Sequence, residues 1–188
     1  MRPTSGEATI FGFDLTNQSS NVKRITGLLP EEYALYEKLT VREYTQFISS
    51  LYDLKQKQYE ERFQLYSDKL EMTQLSDRLI ETLSKGQKQK VAFITALIPE
   101  PLVLFLDEPL ANLDIKAQIV VRDIIKEYKS QNRVIVIATH LIENIISICD
   151  DIILIDNGKV LFNGSLEEFH VENNSFEDAY LKRLGVQM

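Results

Sequence analysis

Cysteine is almost absent: Cys149 is the single thiol in 188 residues. No disulfide can close within the chain, and a lone thiol suits a reducing compartment. Basic residues are outnumbered, 21 Lys and Arg against 28 Asp and Glu, for a formal net charge of −7. A chain of this sign has no global field for nucleic acid. Long apolar runs are also lacking. The most apolar window, Val91 to Leu106, is broken by Pro99, Glu100 and Pro101, and neither half reaches the roughly 20 residues that span a bilayer. The polar start, Met1 to Glu7, has no apolar core of a secretory signal. No repeat or low-complexity run occurs, and seven glycines and five prolines act as punctuation. What is present is globular composition, 44% hydrophobic and 26% charged, in a length of about one domain.

Periodicity divides the chain into textures. Residues 7 to 15 alternate as a strand does, and residues 23 to 29 read as a second strand ending at Pro30. From Thr40 to Leu97 the pattern is helical. Thr40 and Glu43 form a capping-box signature ahead of Phe47, Ile48, Leu51 and Tyr52. A charged helix is expected over about 56 to 71, and a third begins at Ser84. From Pro101 the order becomes α/β. Leu102–Leu106 and Val134–Ala138 read as buried strands, Ile115–Lys129 and Leu141–Cys149 as helices, and Ile152–Ile155 as a third strand. Asn157-Gly158 predicts a tight hairpin turn into Val160–Phe162. The tail from Leu166 is helical and charged.

Three short stretches carry chemistry. The apolar strand ending in Asp107-Glu108 puts two carboxylates at the carboxyl edge of a parallel sheet, where open α/β folds bind ligands. Asp107 is a hard oxygen ligand suited to Mg²⁺, and Glu108 can polarise an attacking water. Ser84-Lys85-Gly86-Gln87 opens a helix with a hydroxyl, free amides and no bulky side chain, which suits a phosphate. His140 follows a strand and can reach the same crevice. Taken singly, each stretch has an ordinary reading: an acidic turn, a helix cap, a loop histidine.

Together they resemble the ATP-binding cassette (ABC) ATPase family. Leu83 to Gln87 resembles its signature motif, Leu104 to Glu108 its Walker B motif, Ala111-Asn112-Leu113-Asp114 its D-loop, and His140 its switch histidine. The order matches, and so do the intervals of 21 residues from Gly86 to Asp107 and 33 from Asp107 to His140. Gly27 to Tyr36 resembles the Q-loop region, with Glu31 in place of the glutamine; Val160 to Gly164 resembles the hairpin after the core, and Phe176 to Gly185 the tail of drug- and sodium-exporter ATPases.

The resemblance implies a P-loop-NTPase-like α/β fold, a parallel sheet core with an all-helical insert. It implies ATP and Mg²⁺ as ligands. Ser84, Gly86 and Gln87 would hold the γ-phosphate of ATP bound by a second subunit, and Asp107 would hold Mg²⁺. Glu108 would act as general base or water-orienting residue, His140 would bind the γ-phosphate, Asp114 would link the two sites, and Glu31 would reach metal or water. The partners implied are a second ABC ATPase subunit and an integral-membrane permease, with no nucleic acid. The implied location is cytoplasmic, on the inner face of the membrane.

The pattern Gly-x-x-x-x-Gly-Lys-Ser/Thr does not occur; the only Gly-Lys pair, Gly158-Lys159, lies in the hairpin turn. The expectation is a fold lacking its first strand, P-loop and following helix, with Arg2 to Glu7 placed just after them. Residues 1–39 are then an N-terminal remnant with the Q-loop region, 40–97 the helical insert, 98–165 the α/β core and hairpin, and 166–188 the tail. The Walker B strand is expected to show an unpaired edge or exposed face. Two activities are compatible with these motifs: ATP-driven export through the permease, or a non-catalytic subunit that donates its signature motif to another cassette's ATP.

Overall fold

A computed structural model of the chain describes residues 4–129, 133–141, 143 and 145–170. The chain divides into two compact units, Met1–His140 and Leu141–Met188. The expected exporter-like tail, Phe176 to Gly185, and all of 171–188 lie outside the described residues.

The first unit opens with a small hairpin. The single strand expected over 7–15 is two antiparallel pairs of residues, β1 (Thr9–Ile10) and β2 (Phe13–Asp14). Phe11 and Gly12 turn between them with φ of 49° and 80°, the left-handed pair of a tight hairpin. The strand expected from residue 23 begins later. Helix α1 (Ser19–Arg24) comes first, and β3 (Thr26–Leu29) follows.

Helix α2 (Val41–Ser50) is capped as expected: the Thr40 hydroxyl accepts from the Glu43 amide, and the Glu43 carboxylate accepts from the Thr40 amide. Such a cap stabilises a helix by about 1 kcal/mol. Helix α3 (Gln56–Lys69) ends two residues short of expectation, because Glu71 takes a φ of 59°. Tyr59 and Phe63 stack at 5.5 Å in the insert's core, with the Arg42 guanidinium 4.8 Å from the Phe63 ring. Helix α4 (Lys85–Leu97) buries Val91, Phe93, Ile94 and Leu97.

Strand β4 (Val103–Asp107) is followed by helix α5 (Ile115–Lys129) and strand β5 (Val134–Ala138). The sheet is parallel and ordered β3-β4-β5. Gly27 sits where α4 crosses β3. A Cβ there would collide with the Ala96 carbonyl and come within 2.7 Å of the Pro101 ring. Strand β4, expected to carry the Walker B residues, is central and paired on both sides, so of the unpaired edge or exposed face expected for it the edge is not found. The open edges among the described residues belong to β3 and β5. One face is open as well: the row Leu28, Phe105, Val136 runs across the three strands, with Leu28 60% and Val136 44% exposed. The opposite row, Leu29 and Leu106, is buried.

The second unit is a hairpin with a short helix. Strands β6 (Asp151–Asp156) and β7 (Lys159–Ser165) pair antiparallel. Asn157 and Gly158 both have positive φ, 45° and 74°, as the dipeptide predicts. Helix α6 (Leu166–His170) follows. One expectation is corrected here. Of the stretch expected as a helix over 141–149, the described residues Ile146–Ile148 form a 3₁₀ turn, and 142 and 144 lie outside the described residues. The third strand pairs with β7, as the Asn157-Gly158 turn predicts. Among the described residues, no helix is long and apolar enough to cross a membrane.

Two predictions follow from packing. Parallel strands are normally covered on both faces, and an open apolar edge templates association. The purified chain is expected to self-associate, and Val136→Lys to reduce this in sedimentation velocity; a monodisperse parent chain would contradict it. The second concerns tyrosines. Burial is the main cause that pushes Tyr66 up to about 12, with Glu100 adding to it. Burial also raises Tyr128, whose hydroxyl donates to the Pro101 carbonyl at 2.9 Å. Both fold as neutral phenols, so their stabilisation is complete below the unfolded value near 10 and is lost as pH rises from there toward about 12. The unfolding midpoint in urea should fall across that window, and phenylalanine at both positions should flatten the decline.

Candidate functional site

The site is built on the carboxyl edge of β4. Asp107, half-buried, is the last residue of the strand and pairs with Ala138 of β5. Glu108 then leaves the sheet with a φ of 46°, the left-handed region that non-glycine residues seldom occupy. Three anchors hold it there. Its amide donates to the Ala138 carbonyl at 2.9 Å. Its carbonyl accepts from the Ala111 amide at 3.1 Å, closing a turn with Pro109 in second place. The same carbonyl accepts from Gln89 Nε2 of α4 at 3.3 Å.

The Glu108 side chain is 12% exposed, and three donors converge on its carboxylate. Oε1 accepts from the His140 amide at 2.8 Å and contacts His140 Nδ1 at 2.6 Å, while Oε2 accepts from Thr139 Oγ1 at 2.9 Å. Burial pushes its pKa up, but these bonds together outweigh burial and hold it below the usual carboxylate range. Glu108 is therefore an ionised acceptor at neutral pH. The His140 contact requires the proton on Nδ1, which leaves Nε2 to bond elsewhere, on a ring 76% exposed.

The start of α4 forms the second wall. Ser84 Oγ accepts from the Gln87 amide at 3.3 Å, and Gln87 Oε1 accepts from the Ser84 amide at 2.9 Å. Gly86 faces the loop after Glu108. A Cβ on it would come within 2.6 Å of the Asn112 carbonyl oxygen. Asn112 itself has a φ of 58°. Asp114 caps α5: its Oδ1 accepts from the Ala117 amide at 2.8 Å. Glu31 lies exposed in the bend after β3 and Pro30. Nearby, Tyr33 donates its hydroxyl to the Lys85 carbonyl at 3.1 Å, and Glu37 pairs with Lys88.

The structure thus joins Glu108 directly to His140 and brings Gly86 against the loop that ends in Asp114. Among the described residues no hydrogen bond or ion pair links Glu31 to the other expected site residues. Sequence reading missed the contacts of Thr139, Gln89, Asn112 and Tyr33, although Asn112 lay within the D-loop resemblance and Tyr33 within the Q-loop region. Thr139 was legible as the hydroxyl between strand end and histidine. The other three act through contacts across 19 residues or more of sequence, which no local pattern reveals.

The ABC transporter family profile matches residues 1–111. The chain belongs to the ABC transporter family, as its ATP-binding subunit. It is 32% identical over 182 residues to the ABC transporter ATP-binding protein NatA of Bacillus subtilis (strain 168), covering 96% of this chain and 74% of that protein. It is 34% identical over 142 residues to the uncharacterized ABC transporter ATP-binding protein MJ1023 of Methanocaldococcus jannaschii, and the match spans about half, 54%, of that protein. A solved ATP-binding subunit of an ABC transporter superposes with a TM-score of 0.92 at 26% identity, over 98% of this chain and 78% of that one. The α/β fold expected from the ABC resemblance is the fold found.

Gly86 gives a direct test of the wall. In a helix, alanine normally exceeds glycine by about 1 kcal/mol. Here the Asn112 carbonyl occupies the space a methyl needs. Gly86→Ala should therefore lower the unfolding free energy by about 1–3 kcal/mol, as overpacking does, in thermal melts. A variant more stable than the parent would show that the gap is slack.

Proposed function

We propose that this chain couples ATP binding and hydrolysis to transport, most consistently export, through a separate integral-membrane permease. The observation that carries the reading is the ionised Glu108 held by Thr139 and His140 beside Asp107. A carboxylate lowered by three donors is a weak proton acceptor. It is well suited to orient and polarise a water through a fixed oxygen. His140, with Nε2 available, donates or accepts toward a terminal phosphate. The export assignment is supported by the likeness of the Phe176 to Gly185 tail to exporter ATPases.

Ser84, Gly86 and Gln87 then present the start of α4 to the γ-phosphate of ATP bound by a second ABC subunit. A Gly-x-x-x-x-Gly-Lys pattern does not occur in these residues, and the ATP that this face meets is the one held by the second subunit. Asp114 contributes to the dimer seam beside its capping bond, and Glu31 follows occupancy from the bend after β3. Permease contact falls to the helical insert and to that same bend. The assembly is peripheral on the inner face of the membrane.

Mg²⁺ fits the donor set. Among the described residues no group of three acidic, histidine or cysteine side chains could hold a metal alone. Mg²⁺ binds through one or two carboxylates, with phosphate and water completing its shell. Asp107 is the residue that would hold it, and the ion would supply charge stabilisation at the transferred phosphate. The chain's own part is to keep Asp107 and Glu108 adjacent and differently oriented.

The test is Glu108→Gln in an assembly that hydrolyses ATP. Nucleotide retention should persist while phosphate release falls by about 10²–10⁴-fold, the span ascribed to a positioned acid–base group. Near-normal release would remove Glu108 from the reaction.

A further inference from the structure

Gln89 is buried, with 2% of its surface exposed, in the second turn of α4. It lies beyond the residues that face a nucleotide in the reading above, and nothing in a helix core calls for an amide at this position. Its Nε2 donates to the main-chain carbonyl of Glu108 at 3.3 Å. That carbonyl belongs to the residue with left-handed φ at the site's centre. Buried polar groups are costly unless bonded, so this contact ties the helix to one backbone orientation of Glu108.

We propose that Gln89 is a positioning residue for Glu108. The local turn alone cannot settle the orientation, because the Ala111 amide bonds the same carbonyl from within the loop and moves with it. Gln89 reaches it from a helix outside the loop. A second contact between the same two elements, Gly86 against the Asn112 carbonyl, sets the spacing at which the amide reaches. The start of α4 is therefore linked to Glu108 within one subunit. A shift of the phosphate-facing helix start moves the water-orienting carboxylate through a single amide. This catalytic consequence rests on the role given to Glu108 above; the positional claim does not.

The experiment compares Gln89→Met, which keeps length and burial but loses the donor, with Gln89→Glu, which turns an acceptor toward the carbonyl. Amide exchange is followed on the full chain at Glu108 and Ala111, with the buried α5 residue Ile124 as a reporter of global opening. Gln89→Met should speed exchange at Glu108 and Ala111 by about tenfold, equivalent to about 1.4 kcal/mol, and leave Ile124 unchanged. Gln89→Glu should do at least as much; if it does not fold, the methionine variant decides. Unchanged exchange at Glu108 in Gln89→Met overturns the positional claim, and equal acceleration at all three sites assigns Gln89 to general stability instead. In an ATP-hydrolysing assembly, Gln89→Met should lower kcat by about tenfold and leave KM within about twofold, the pattern of a lost transition-state contact. Faster exchange with unchanged kcat removes the catalytic consequence. A parent assembly that hydrolyses nothing refutes the functional reading and leaves exchange to decide the position.

Discussion

The left-handed backbone of Glu108 is the constraint on which the site depends. A strand that ran on in extended geometry would send this side chain along the sheet edge. Reversal of φ at one residue instead turns it toward the loop after β5. Such a conformation persists only where its surroundings over-determine it. Here a strand holds the amide, a turn and a helix hold the carbonyl, and the 139–140 segment holds the carboxylate. Pro109 adds a fixed φ at the next position, which favours the tight turn. Four separate elements thereby agree on the placement of one carboxylate.

The same economy shapes the rest of the first unit. Central β4 carries the acidic pair and is paired on both sides, so its carboxyl end is stiff. The helical insert reaches that end through α4, whose first turn packs against the D-loop and whose second turn touches Glu108. Tyr33 adds a link from the bend after β3 to the same first turn. The start of α4, the end of β4 and the bend after β3 are distant in sequence but linked by these contacts.

Much of this was legible before the structure. The capping box at Thr40, the helix start at Ser84, the bounds of α5 and β5, and the Asn157-Gly158 turn follow from local rules about caps, helical spacing and positive φ. Those rules act over a few residues and hold wherever tertiary packing agrees with them. They failed where packing disagreed. Residues 7–15 alternate, yet Phe11 and Gly12 fold them back. An open edge or exposed face was anticipated for β4, yet the edges are β3 and β5, because neighbour order in a parallel sheet depends on crossovers that no single strand encodes. For the site, motif spacing placed the carboxylates and the histidine near one edge. The Gln89 and Asn112 contacts lie between elements and leave no periodic trace.

The cap at the start of α4 has a thermodynamic consequence. Ser84 and Gln87 satisfy each other's amides, so two of the four amides that open this helix are bonded without a ligand. A phosphate that takes either of those two amides competes against an oxygen only three residues away. The free energy it gains is the difference between two bonds, not the full value of one. A first turn of this kind is partly ordered before a ligand arrives, and the protein re-forms the bond it gave up when that ligand leaves.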